Sequence, residues 1–205
     1  MRNFAIDGKS ISVFSAVQTE APIIYLNTFA NEGQRVFEVA QVVGCPPFSL
    51  VAISSLDWNR DMAPWDSPAA FKKGEPFTGG ADDYLRLLVE EIIQEAEKEL
   101  LGPPAWRGIA GYSLAGLFAL CAVYQTDVFS RVGCMSGSLW FPGFKEYVFF
   151  HDLRHTFATV ALQSGVDVKT VSAMLGHYDA GFTLRTYTHT NRRMQEKAAE
   201  KMGNF

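Results

Sequence analysis

Apolar positions in the first two thirds of the chain fall into short runs separated by turn residues. ISVFSAV (11–17) and PIIYLNTF (22–29) carry the β-branched and aromatic residues of strands, with a break at Glu20–Pro22. Gln34–Val43 predicts a short helix that stops before Gly44 and the Pro46-Pro47 pair. FSLVAISS (48–55) is a continuous apolar run, as a strand buried on both faces should be. Asp57–Gly80 reads as loop, punctuated by Pro64, Pro68, Pro76 and Gly79-Gly80. In ADDYLRLLVEEIIQEAEKELL (81–101), Tyr84, Leu87, Leu88, Ile92 and Ala96 recur at helical spacing behind an acidic first turn. WRGIAGYS then predicts a strand running into a turn, LAGLFALCAVYQ (114–125) a helix, and RVGCMSGS (131–138) another strand. Strands alternating with helices predict the α/β class, with a parallel sheet flanked by helices on both faces.

The pattern changes near Val148–Phe150. Beyond it the spacing is helical throughout: HDLRHTFATVALQ closed by Gly165, VKTVSAMLG capped by Asp167 and closed by Gly176, a turn or two in GFTLRTYTH, and a polar final helix NRRMQEKAAEKM. Leu153, Phe157, Val160, Leu162, Val166, Val171, Met174 and Leu175 are the expected buried positions. Histidine use and charge change at the same place. All four histidines, His151, His155, His177 and His189, lie in the last quarter. Residues 1–148 hold 11 basic and 17 acidic side chains, net −6; residues 149–205 hold 7 and 5, net +2. The expected organisation is therefore two segments, 1–148 and 149–205, joined without the polar linker that usually separates domains.

The chain totals narrow the class. With 48% apolar and 20% charged residues, the chain is not of disordered composition, and its net charge of −4 makes the whole chain no obvious nucleic-acid binder. No apolar run reaches membrane-spanning length, and MRNFAIDGKS is too polar for a secretory signal. Cys45, Cys121 and Cys134 make an odd count without CxxC spacing, which reads as three reduced, mostly buried thiols in a cytoplasmic protein. His151 and His155 sit at i, i+4, half of a metal site, but no third ligand clusters with them, so no metal and no cofactor is expected.

GYSLAG (111–116) carries chemistry. A strand–Gly-x-Ser-x-small–helix turn lifts Ser113 onto a tight bend at a helix N-terminus. The amide of Leu114 would face a developing oxyanion, and a second amide would come from the loop at Thr28 and Phe29. Position 115 is alanine and the glycine follows at 116. On the motif alone the string also reads as a glycine-rich turn that merely contains a serine. Together with PIIYLNTF, DWNRDMAPWDSP, FTGGADDYL and MSGSLW it resembles an esterase family of α/β hydrolases over about residues 1–148. The resemblance implies a truncated α/β-hydrolase sheet, a small ester substrate, and an acid and a histidine after the nucleophile. The chain leaves the pattern before either arrives. Asp57, Asp61 and Asp66 precede Ser113, the wrong order for that acid, and read as loop residues.

FHDLRHTFATVALQSGVDVKTVSAMLGHYDAGFTLRTYTHT resembles the C-terminal part of tyrosine recombinases, the phage-integrase family. H-x-x-R at 151–154, L-G-H at 175–177 and a tyrosine ten residues on stand in family order. The resemblance implies an all-helical segment acting on DNA. It makes Tyr187 the nucleophile that forms a 3′-phosphotyrosyl bond, Arg154 the clamp on the phosphate oxygens, His151 a proton-transfer group and His177 a phosphate hydrogen-bond donor. Taken singly, Tyr187 also reads as a packing tyrosine and His177 as a polar helix-end residue. The same resemblance implies an earlier arginine and a lysine, where this chain has the hydrolase-like segment. Arg131, Lys145 and Lys169 do not match those positions. Each segment then lacks part of its expected fold, and the apolar surface left on each either covers the other's or stays open to self-association.

Overall fold

The computed structural model describes residues 1–70, 74–175 and 183, and within its helices leaves out the side chains of residues 99, 150–156 and 163. The chain forms two compact units, Met1–Phe141 and Pro142–Phe205.

The first unit is built on a six-stranded sheet of order β1-β2-β4-β3-β7-β8. β1 (Arg2–Ile6) and β2 (Lys9–Phe14) form a hairpin, turning at Asp7 and Gly8, both at positive φ. That is the backbone a tight, right-twisted hairpin turn requires, and Asp-Gly supplies it. β2 continues antiparallel to β4 (Ser49–Ser54), while β3 (Ile23–Asn27) runs parallel to both β4 and β7 (Arg107–Tyr112), and β7 parallel to β8 (Arg131–Met135). The sheet is therefore mixed, not the parallel sheet expected: the four strands β4, β3, β7 and β8 are parallel and the N-terminal hairpin is added antiparallel. The overall class is α/β, as the alternation predicted.

Burial follows strand alternation. Ile24 and Leu26 join Phe14, Leu50 and Ala52 in a cluster against Phe37 of α1 (Gly33–Val42). Tyr25, between them, points the other way and donates its hydroxyl to Glu97. Helices thus cover both faces. Glu97 follows α3 (Ala81–Leu87), a π-helical turn (Leu88–Ile92) and α4 (Ile93–Ala96), which run on as one continuous helix. Its carboxylate also takes both arms of the Arg107 guanidinium, at 2.6 and 2.7 Å, pinning the helix end to β7. α5 (Leu114–Gln125) is apolar all round and buried along most of its length, the pattern of a helix inside a core.

The stretch expected to be loop contains α2 (Trp58–Asp61) and a small ribbon, β5 (Asp66–Ser67) with β6 (Phe77–Thr78). Asp57 caps α2 by accepting from the Arg60 amide, and Asp61 is buried, 2.7 Å from the Lys9 ammonium. Cys45 is exposed, Cys121 buried and Cys134 between the two, so the thiols are less buried as a set than expected.

In the second unit, α6 (Phe144–Gln163) runs without interruption through residues 148 and 149. Gly165 at positive φ ends it, and the Asp167 carboxylate caps α7 (Val168–Leu175) by accepting from the Thr170 amide and hydroxyl. Ala158, Leu162, Val171 and Leu175 form the described core of this unit. Phe157, Val160, Val166 and Met174, expected to be buried, are exposed. Apolar spacing alone did not select the buried positions. Leu153 lies among the side chains not described.

Candidate active site

Ser113 occupies the turn between β7 and α5, at φ 53° and ψ −122°. A non-glycine residue adopts this backbone only where its surroundings hold it there, at a cost of about 1–3 kcal/mol. Four backbone hydrogen bonds hold it. Its amide donates to the Met135 carbonyl, and its carbonyl accepts from the amides of Gly116, Leu117 and Ser138. Gly111 removes the last obstacle: a Cβ there would lie about 2.5 Å from the Ala115 backbone. Glycine thus lets the strand and the helix approach closely enough to make the bend.

The Ser113 side chain faces a cleft of about 260 Å3, whose lining includes Trp58, Phe77, Leu114, Ser138 and Trp140. Its hydroxyl pairs with that of Ser138, 3.3 Å away. Ser138 is buried. A hydroxyl is not a base at neutral pH, and the pair is long for an O–H···O bond.

The amides are better placed. As first residue of α5, Leu114 has an N–H with no carbonyl to bond within the helix. The parallel register pairs Asn27 with Gly111, so Phe29 and Ser113 both follow the same end of these two neighbouring strands. Thr28 is excluded as a donor: its amide donates to the Ile53 carbonyl, and its hydroxyl to Ala30 and Ile53 carbonyls. That corrects the expectation of a Thr28 amide in the oxyanion site. The Phe29 amide donates to the Tyr112 hydroxyl, 3.1 Å away, and that hydroxyl donates to Glu32 at 3.1 Å. Partial burial raises the phenol's pKa, the Phe29 amide opposes this, and Glu32 reinforces it, so Tyr112 stays protonated.

The first unit contains no histidine, because every histidine of the chain lies at residue 151 or beyond. Asp57, Asp61 and Asp66, read as loop residues, serve structure: a helix cap, a buried ion pair and the start of β5. Of the recombinase-like residues, His151 and Arg154 lie on α6 three residues apart, and their side chains are not described. His177 and Tyr187 lie outside the described residues. Among the described residues, no group of three or more histidine, cysteine or acidic side chains could hold a metal ion, and no helix is long and apolar enough to cross a membrane.

Sequence reasoning named Ser113, Leu114 and Phe29 but passed over Ser138, Tyr112 and Glu32. Tyr112 lies inside the GYSLAG string and Ser138 inside MSGSLW. Only the strand register that brings β7 beside β3 reveals what Tyr112 touches.

Comparisons with known proteins bring up two kinds of relative. Residues 129–194 match the model of the phage integrase family. A tyrosine recombinase XerC-like protein of Caldanaerobacter subterraneus is 40% identical over 56 residues, 27% of this chain and 14% of that protein. An uncharacterized protein, YbbA, of Bacillus subtilis is 24% identical over 151 residues, 70% of this chain and 60% of that protein. The chain therefore spans less than two thirds of these curated relatives. The crystal structure of an IroE-like serine hydrolase from Shewanella oneidensis superposes with a TM-score of 0.58 at 23% identity, covering 72% of this chain and 51% of that one.

The larger part of the chain has the fold of α/β hydrolases, and its last third is similar to the phage integrase family.

Proposed function

We propose that this chain is a fusion of an α/β-hydrolase segment, residues 1–148, with the C-terminal catalytic segment of a tyrosine recombinase, residues 149–205, in which neither catalytic set is whole. The observation that carries the proposal is the Ser113 bend, whose hydroxyl is paired with Ser138 in a unit without histidine. Ser113 would attack the acyl carbon of a small ester from its own hydroxyl. The negative oxygen that forms would lie against the Leu114 amide and, once released from Tyr112, that of Phe29. The serine proton must then pass to water or hydroxide. Loss of one triad member typically leaves only a small residue of the full rate, so slow turnover follows.

The recombinase reading rests on the family match over 129–194 and the XerC-like relative. In it the Tyr187 oxygen attacks a DNA phosphorus, the phosphodiester bond to the 5′ oxygen breaks, and the 3′ phosphate stays on the tyrosine. Arg154 and His177 would hold the phosphate oxygens and His151 would assist proton transfer. An arginine fork matches the equatorial oxygens of that transition state. The two further cationic groups of the family have no counterpart here, so strand cleavage would be weak or absent. We also place the protein in the cytoplasm, on its free thiols, and expect self-association through the exposed Val132, Met135 and Leu139.

Two covalent assays test the proposal. A fluorophosphonate probe should label the chain weakly or not at all, with any labelling lost in Ser113→Ala. A nicked suicide DNA substrate should give little or no adduct, with any adduct lost in Tyr187→Phe. Rapid labelling in either assay, abolished by its substitution, would mean that the corresponding catalytic set is complete.

A further inference from the structure

The Ser113 bend has one donor ready for an oxyanion and one already engaged. An amide carries a single hydrogen. That of Phe29 points at the Tyr112 oxygen, 3.1 Å away. The phenol is not loosely placed. Its own proton goes to Glu32 Oε1 at 3.1 Å, and Glu32 Oε2 accepts from the Ala30 amide at 3.1 Å. Trp58 packs against both ends of the contact, with ring centroids 5.7 Å from Tyr112 and 5.2 Å from Phe29. The same Trp58 lines the cleft in front of Ser113. Tyr112 immediately precedes the nucleophile, so its position is set by the same bend.

We propose that Tyr112, braced by Glu32, is an internal occupant of the oxyanion site that holds the Phe29 amide until a ligand oxygen displaces it. The inference rests on the reading of Ser113 as a nucleophile. A neutral phenol oxygen is a weaker acceptor than a developing oxyanion, because charge-assisted hydrogen bonds are roughly twice as strong as neutral ones. The exchange therefore favours a tetrahedral anion over a neutral ground-state carbonyl. Tyr112 thus makes the site selective for electrophiles that put full negative charge on oxygen, and it slows attack on weakly activated esters.

Tyr112→Phe tests this, since it removes the oxygen and keeps the ring against Trp58. Two measurements are made on the full chain. Hydrogen exchange at the Phe29 amide should become at least about tenfold faster. Phosphonylation of Ser113 by a phosphonofluoridate, followed by intact mass and peptide mapping, should become about tenfold faster; there the Oγ–P bond forms, the P–F bond breaks, fluoride leaves and the serine proton passes to hydroxide. A tyrosine that merely supports the fold would give slower phosphonylation on removal, not faster. Glu32→Ala, which removes the brace and leaves the phenol, should give an intermediate increase. An unchanged Phe29 exchange rate, or a Ser113-specific rate that stays the same or falls, overturns the inference and leaves the nucleophile reading standing. Labelling that persists equally in Ser113→Ala removes the nucleophile reading and the inference with it.

Discussion

At Ser113 the backbone is strained, and the strain is measurable. Glycine tolerates φ 53°, ψ −122° without the Cβ penalty, whereas alanine retains it. Both substitutions lose the Ser138 contact equally, so their difference isolates the backbone. Ser113→Gly should be about 1 kcal/mol more stable than Ser113→Ala in urea unfolding; equal midpoints would show that the bend is relaxed. A second residue-scale prediction concerns Asp61. Its buried carboxylate faces the Lys9 ammonium at 2.7 Å and also accepts from the Asp57 amide. Replacing it by Asn strands the lysine charge, and the loss should be about 3 kcal/mol. Nothing in DWNRDM marks Asp61 as buried, because its partner comes from β2, about fifty residues earlier. The sequence shows which residues carry charge; the register decides which of them meet.

The elements divide into those whose signal is local and those whose signal is not. α5 begins at Leu114 and ends at Gln125, as its apolar run predicts, and β4 and β7 fall inside their expected stretches. The N-terminal hairpin was legible in principle through Asp7-Gly8 between alternating residues, but its polar look hid β1. Its antiparallel pairing with β4 has no local signal, since pairing direction is fixed by topology. In the second unit the cap of α7 was legible from Asp167 alone. The Thr170 hydroxyl, then the Thr170 amide, hold the Asp167 carboxyl below its usual pKa. Its stabilising effect is therefore present above the ordinary aspartate value and is lost as pH falls through the lowered one. The Thr170 amide resonance should titrate with a midpoint below about 3.9, the unperturbed aspartate value. A midpoint at or above that value would mean that the cap is not formed in solution. Which face of α6 is buried was not legible: Phe157 and Val160 share its apolar spacing with Leu162, yet only Leu162 is buried.

On the scale of the whole molecule, the chain forms two compact units that divide at Phe141, and residues 129–194 are similar to the phage integrase family. In the proposed reading, the first unit has what backbone geometry supplies: a bent serine, the free Leu114 amide, and a Phe29 amide held by Tyr112. Among the described residues, the side-chain partner of the Ser113 hydroxyl is another hydroxyl, that of Ser138. Backbone features follow from strand order and close packing, so they persist wherever the sheet folds. The base depends on one residue type at one place, and the first 150 residues have no histidine to provide it. The pH dependence of Ser113-specific phosphonylation tests this most directly. With hydroxide as the only acceptor, the rate should rise about tenfold per pH unit from pH 6 to 9, with no inflection. A rapid reaction that levels off above a midpoint near 6.5, the ordinary imidazole value, would show that a histidine reaches Ser113 and would contradict the account.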